Sequence, residues 1–422
     1  MTSKRTPSDP DPVPVPVPAT LPAPASSAIT PSRTLAAFAL ALLLGLQPVT
    51  TDVYLPSLPM LTKALQAPMH AVQLTMSALI LSFGMAQMVW GPVADRIGRR
   101  PVLLMGLALY TAASAGAMTA DTIETLVVWR VLQGAALAAA VVCARAIVRD
   151  LYEPADGAQV MALALSGLGV IALTGPLLGG FAATWLGWRG PLMLVTLVGL
   201  LVLVFIAWRL PETLLNKNPQ ATRLAPLLQI WWHIGRNRSF VAWATLLACT
   251  YGGLFTILAA SSFIYMDVFG LSPAAYGASM ALGSLSYIAG TVLCRRWIPR
   301  HGLHGTVRRG AWFTLLAGAA MASLAAAGMH ALWAVLVPQC LFVFAHGLHQ
   351  PCGQVAAVGP FPQNAGAASA LAGLLLALVA FGIGKWLGFA LNGSVQPMAY
   401  GVAFWSLMTC ASAWVLVQRI PR

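Results

Sequence analysis

Charge is what this 422-residue sequence has least of. Asp, Glu, Lys and Arg together make up 8% of it, and only 11 residues are acidic. Soluble domains carry roughly 25% charged residues, and no polar stretch here is long enough to build one. Cysteine is also scarce. The six, at 143, 249, 294, 340, 352 and 410, all fall in apolar segments with no CxxC spacing. That excludes a disulfide framework and a thiolate metal site, and leaves them as small buried hydrophobes. There is no Walker loop, no zinc motif and no G-x-S-x-G elbow, so ATP-driven and common hydrolytic chemistries are excluded on this chain. His346 and His349 stand three residues apart with no acidic or cysteine partner. They read as core or helix-end residues rather than metal ligands. The sequence therefore describes a non-enzyme without metal or cofactor.

What fills the space is hydrocarbon: 59% of residues are hydrophobic and the mean hydropathy is +0.78. A spanning helix needs roughly 20 mostly apolar residues. Twelve such runs are readable, the first at Leu35–Leu58 and the last at Met398–Val417. The expectation is an all-α membrane protein of two six-helix halves, residues 34–210 and 239–422, around a central cavity. Residues 1–33, with their Val-Pro repeat, read as a mobile cytoplasmic tail, and the first apolar run is too long for a secretory h-region. Residues 211–238 read as a polar cytoplasmic linker.

The net charge of +13 would suggest nucleic acid in a soluble protein. Here, with the N-terminus inside, 19 of the 24 Lys and Arg fall in cytoplasmic segments, 2 (Arg130 and Arg145) in spans and 3 outside. This is the orientation bias of membrane proteins. It puts both termini in the cytoplasm and removes nucleic acid from the partners. A single chain of this size can form a pathway alone, so a monomer is expected.

The densest charge lies at Gly91-Pro-Val-Ala-Asp-Arg-Ile-Gly-Arg-Arg-Pro-Val-Leu-Leu104, between the second and third runs. The turn after the eighth run holds Arg295, Arg296, Arg300, Arg308 and Arg309. A basic turn after the second helix of each half is what a duplicated unit leaves, and such repeats recur in transporters.

These residues resemble the major facilitator superfamily. Its loop motif G-x-x-x-D-R-x-G-R-R/K-x-x-x-L is matched by Gly91, Asp95, Arg96, Gly98, Arg99, Arg100 and Leu104, with Val93 where the family usually has Leu. Arg130-Val-Leu-Gln-Gly134 is similar to the R-x-x-Q-G motif. Gly175, Pro176, Gly179 and Gly180 are similar to the tail of G-x-x-x-G-P-x-x-G-G, with Ile171 where its leading Gly would stand. Three segments, Thr51–Pro59, Ala144–Tyr152 and Ala365–Leu371, look like the Bcr/CflA subfamily of drug-resistance antiporters. The resemblance implies proton-driven efflux of small amphipathic compounds across a bacterial inner membrane. The alternatives are an exporter or facilitator of one endogenous metabolite, such as an amino acid or sugar, and a non-transporting scaffold.

Asp52 is the one acid inside the first run. An ionised carboxylate near mid-membrane costs roughly 2.5–3.5 kcal/mol on insertion scales, so it is expected to be partnered or protonated. Counted from the outer ends of their spans, Asp52 lies at roughly 10 Å and Arg130 at about 12 Å, so the two can face one cavity. Burial and a facing guanidinium act on a carboxyl in opposite senses, which makes the pair the candidate for proton coupling. The alternative is that Asp52 caps or kinks its helix beside Pro48 and Pro56, and that Arg130 holds backbone carbonyls. Gln47, Tyr54, Gln133, Tyr251, Phe255 and Tyr287 are candidate cavity residues, weighed against the interfacial placement common for Tyr. Gly175, Pro176, Gly179 and Gly180 are expected to permit close helix packing. At the cytoplasmic end, Asp95 and Asp150 are expected to exchange ion pairs with Arg96, Arg99 and Arg149 as a gate.

Overall fold

The computed structural model describes residues 33–420, by backbone alone at nine positions between 154 and 172. The expected tail lies outside the described residues except for Arg33. Among the described residues every regular element is helical. The first half comprises α1 (Arg33–Asp52), α2 (Met69–Ile97), α3 (Arg99–Met118), α4 (Ile123–Leu151), α5 (Pro154–Leu186) and α6 (Arg189–Arg209). The second half begins with α7 (Arg238–Phe263). The stretch Pro273–Ala326 follows, and it breaks at Gly302 (φ 64°) into α8 (273–301) and α9 (303–326). Then come α10 (Leu332–Val358), α11 (Ala365–Ala390) and α12 (Gln396–Ala411).

Among the described residues ten continuous helical stretches are long and apolar enough to cross a membrane. Dividing one at Gly302 and adding α5, 33 residues long, brings them to the expected twelve.

Local chemistry sets the ends. Thr122, Asn237 and Ser272 cap α4, α7 and α8 by accepting the free backbone N–H groups of the first turn. Gly98 (φ 115°) and Gly302 take backbone angles that L side chains rarely adopt, and each turns the chain after the second helix of its half. α1 stops at Asp52, and a short 3-10 turn at Leu55–Ser57 leads into Leu58–Ala64. Pro48 and Pro56 each withhold a backbone donor near that break.

The halves meet where α2 packs on α11 and α5 on α8. Small residues permit this. A Cβ on Gly180 would run into the backbone of Pro273, one on Gly277 into that of Pro176, and one on Gly84 into Ala377. Apolar packing is continuous across both halves at one end of the bundle, from Leu58 and Met76 to Phe263 and Leu387. At the other end it separates into one cluster per half. This second end carries the Asp95–Arg100 cluster and is called the basic end below. The bundle is thus sealed at one end and divided at the other.

The stretch read as a polar linker contains a 13-residue helix, Leu224–Arg236. Ile234 is buried against the start of α7, while Leu224, Leu228 and Trp232 are exposed. Polar flanks had masked this short amphipathic pattern, which suits a helix lying along a membrane surface.

Candidate functional site

The break after Asp52 decides what faces what. Asp52 is half-buried, and its carboxylate accepts from the Thr51 hydroxyl at 2.7 Å. Its Cβ side looks toward Gly175 of α5, and Tyr251 and Tyr276 of the second half are within electrostatic reach. Tyr54, two residues on, points the other way, and the Arg130 guanidinium lies over its ring at 3.9 Å. The two charges expected to face one another are therefore not paired: among the described residues no ion pair joins Asp52 and Arg130. Equal depth did not imply a shared face, because a tyrosine fills the space beside the guanidinium.

Arg130 is instead the centre of a fully buried neutral network. It donates to Gln133 Oε1 at 2.7 Å, and Gln133 donates to Ser114 Oγ at 2.6 Å. The hydroxyls of Tyr54 and Thr75 share a bond of 2.9 Å, and those of Tyr110 and Thr50 one of 2.6 Å. Among the described residues Arg130 Nε and Nη2 have no hydrogen-bond partner. The network joins α1 to α4, so removing Arg130 would loosen four helices at once.

Between the halves lies a cavity of ≈ 120 Å³. It runs from Gln47, Phe83 and Tyr251 toward the basic end, where Arg145, Gln354 and Ser369 line it. Gln87, His346 and Gln350 stand along its length. Drug-sized pockets occupy roughly 300 Å³ or more, so this conformation must widen to hold such a cargo. At the sealed end, Gln73 donates to the Ala259 carbonyl at 2.6 Å across the halves, and His70 stacks on Phe389 at 5.3 Å.

Of the six expected cavity residues, Gln47 and Tyr251 line this space. Phe255 is buried behind Tyr251, ring to ring at 6.3 Å. Tyr287 donates to Gln350 and so orients a lining amide from behind. Tyr54 and Gln133 belong to the Arg130 network. The lining groups missed in sequence are Gln87, Arg145, His346, Gln350, Gln354 and Ser369. Their signal was present: polar side chains inside apolar runs, of which Arg145 had served only to set orientation. His346 Nδ1 meets the Thr250 hydroxyl and His349 Nε2 that of Thr314, each at 3.0 Å. Among the described residues no cluster of three metal-binding side chains forms.

At the basic end Arg99 is buried, 3% exposed, and takes both carboxylates: Asp95 at 2.6 Å and Asp150 at 2.8 Å. Arg96 instead donates to Thr222 Oγ1 and Arg100 to the Ala207 carbonyl, while Arg149 is exposed. The expected exchange among three arginines is thus corrected to one arginine shared by two acids. Glu212, which the sequence reading missed, receives the backbone N–H of Arg99 at 2.9 Å and of Arg100 at 3.3 Å. A carboxylate there satisfies the first donors of α3 and complements its dipole. Gly98 is required beside it, since a Cβ would strike that carboxylate. Gly91 is roomier, its Cβ position meeting only Val142 at 3.8 Å. Every partner in this network belongs to the first half or the linker, so in this conformation it does not bridge the halves.

Gly179 faces the Val53 backbone, and Gly180 and Pro176 face α8. These positions bring α5 onto both the helix break and the opposite half.

The Major Facilitator Superfamily description matches residues 38–417. The chain is 29% identical over 334 residues to "Multidrug resistance protein D" of Escherichia coli, covering 79% of this chain and 83% of that protein. It is 23% identical over 380 residues to "Bicyclomycin resistance protein homolog" of Haemophilus influenzae, covering 90% and 95%. Among solved structures, a D-xylose-proton symporter superposes with a TM-score of 0.70 at 16% identity, covering 92% of this chain and 97% of that one. At that identity the likeness speaks for the fold alone.

Proposed function

The chain belongs to the major facilitator superfamily, and from that premise we propose that it expels small amphipathic compounds by exchanging them for protons. The observation that carries this reading is an inter-half cavity lined by Gln47 and Tyr251, with a carboxylate, Asp52, at the helix break five residues beyond Gln47 and within electrostatic reach of Tyr251. Relatives named for multidrug, bicyclomycin and chloramphenicol resistance support the efflux direction.

Asp52 serves as the proton carrier. Among the described residues it accepts from the Thr51 hydroxyl and makes no ion pair, so protonation removes an unpaired charge. Arg130 holds the helices around the carrier instead of pairing with it. Opening the sealed end would expose Asp52 to the outside and the proton gradient would load it. The chain works as a monomer in the bacterial inner membrane, with the basic end and both termini in the cytoplasm. The proton gradient does the work that a cofactor would otherwise do.

The test is growth of a drug-sensitive host with and without the gene, on chloramphenicol and bicyclomycin. Raised tolerance that disappears in Asp52→Asn is expected. Unchanged tolerance with either drug, or full protection by Asp52→Asn, contradicts the reading.

A further inference from the structure

The cavity has a charge signature that the efflux reading does not use. No Asp or Glu is among its lining residues, whereas Arg145 is, accompanied by the amides of Gln47, Gln87, Gln350 and Gln354. Among the described residues Arg145 makes no ion pair. It donates at 2.5 Å to Ser369 Oγ, a neutral acceptor on α11 of the opposite half. An arginine inside a membrane helix is costly to keep and marks a functional position. Its planar fork matches a carboxylate better than any neutral partner. A cationic cargo would meet this guanidinium with no nearby carboxylate to offset it.

We propose that this cavity is an anion-accepting site, in which Arg145 seats the carboxylate of an amphipathic organic acid whose apolar body lies on Phe83, Leu247 and Tyr251. The site rests on the efflux reading only for the direction in which the acid moves. The fifteen residues from Arg130 to Arg145 span about 22 Å of α4. Since Asp52 lies near the depth of Arg130, the seat for the acid and the proton carrier are separate. Arg145 is six residues from the end of α4, about 9 Å, so an acid entering from the basic end meets it early. Seating that acid takes the guanidinium from Ser369 and releases a bond between the halves. Binding and inter-half motion are thereby linked through one side chain.

Three matched probes test this on purified full-length protein: naphthylacetate, naphthylacetamide and naphthylmethylamine, with affinities read from their shifts of thermal unfolding. The acid is expected to bind about ten-fold tighter than either analogue. Arg145→Gln should lose that advantage and leave the amide unchanged, and Arg145→Lys should keep part of it. Ser369→Ala removes the inter-half bond but not the charge, and it should bind the acid at least as well as wild type. Equal or tighter binding of the amine overturns the proposal, as does an undiminished acid affinity in Arg145→Gln. An equal loss in Ser369→Ala also overturns it, because Arg145 would then be only a strut. Should Arg145→Gln fail to fold, the wild-type probe ranking and Ser369→Ala still decide. Chloramphenicol uptake into inverted vesicles under a pH gradient, run alongside, tests the efflux reading separately. Loss of the acid preference with uptake intact sinks the anion site alone, and absent uptake with the preference intact sinks efflux alone.

Discussion

The two halves share a plan and differ in their electrostatics. Each turns at a left-handed glycine after its second helix, Gly98 in one and Gly302 in the other. Yet Asp267 is the one acid after Glu212 among the chain's 11. The first half buries an arginine between two carboxylates and places another in a network of hydroxyls and amides. The second half buries side-chain pairs without an acid: His346 with Thr250, His349 with Thr314, and Tyr265 with Gln339 at 2.9 Å. Its basic turn has Arg308 exposed to solvent. Of the cavity lining, the first half supplies the cation, Arg145, and the second half supplies His346 and the amides of Gln350 and Gln354.

This contrast can be broken by substitution. The largest stability effect is expected from Arg99→Ala, which leaves Asp150, 13% exposed, without its cation. Breaking a buried pair from one side costs about 3 kcal/mol. The Asp95 contact adds little, because that carboxylate is 44% exposed. Arg308→Ala in the matching turn of the second half should change stability by less than about 0.5 kcal/mol. Unfolding of the purified variants in detergent checks both, and equal costs would remove the asymmetry.

The paired glycines come next. Gly302→Ala should cost about 1 kcal/mol for its backbone angle alone, since nothing lies within 4 Å of the added carbon. Gly98→Ala should cost more, because the methyl displaces Glu212 from the start of α3. Gly98→Ala combined with Glu212→Gln should be less than additive in the same unfolding experiment. Thr314→Val, which removes one neutral hydrogen bond to His349, should cost about 1 kcal/mol or less, well below Arg99→Ala.

The sequence made the scaffold legible because membrane physics leaves few choices. Apolar runs of spanning length gave the helices, and the basic turns after the second helix of each half could be seen as a repeat. Depth was readable along a helix, but the direction a side chain takes was not. Asp52 and Arg130 have matching depth, yet the break at Asp52 presents Tyr54 to the guanidinium. Glu212 escaped notice because it lies 112 residues from Arg100, across four helices, where one sequence holds no sign of proximity. Arg145 was visible as a charge in an apolar run, but only the packing of α4 against α11 shows that it faces the cavity.

The central claim is that proton exchange resides at Asp52 in the first half and not at Asp267 in the second. It is tested most directly by adding chloramphenicol to purified protein in weakly buffered detergent and following the released protons. The account predicts release from wild type and Asp267→Asn, and none from Asp52→Asn. Release from Asp52→Asn equal to wild type would contradict it.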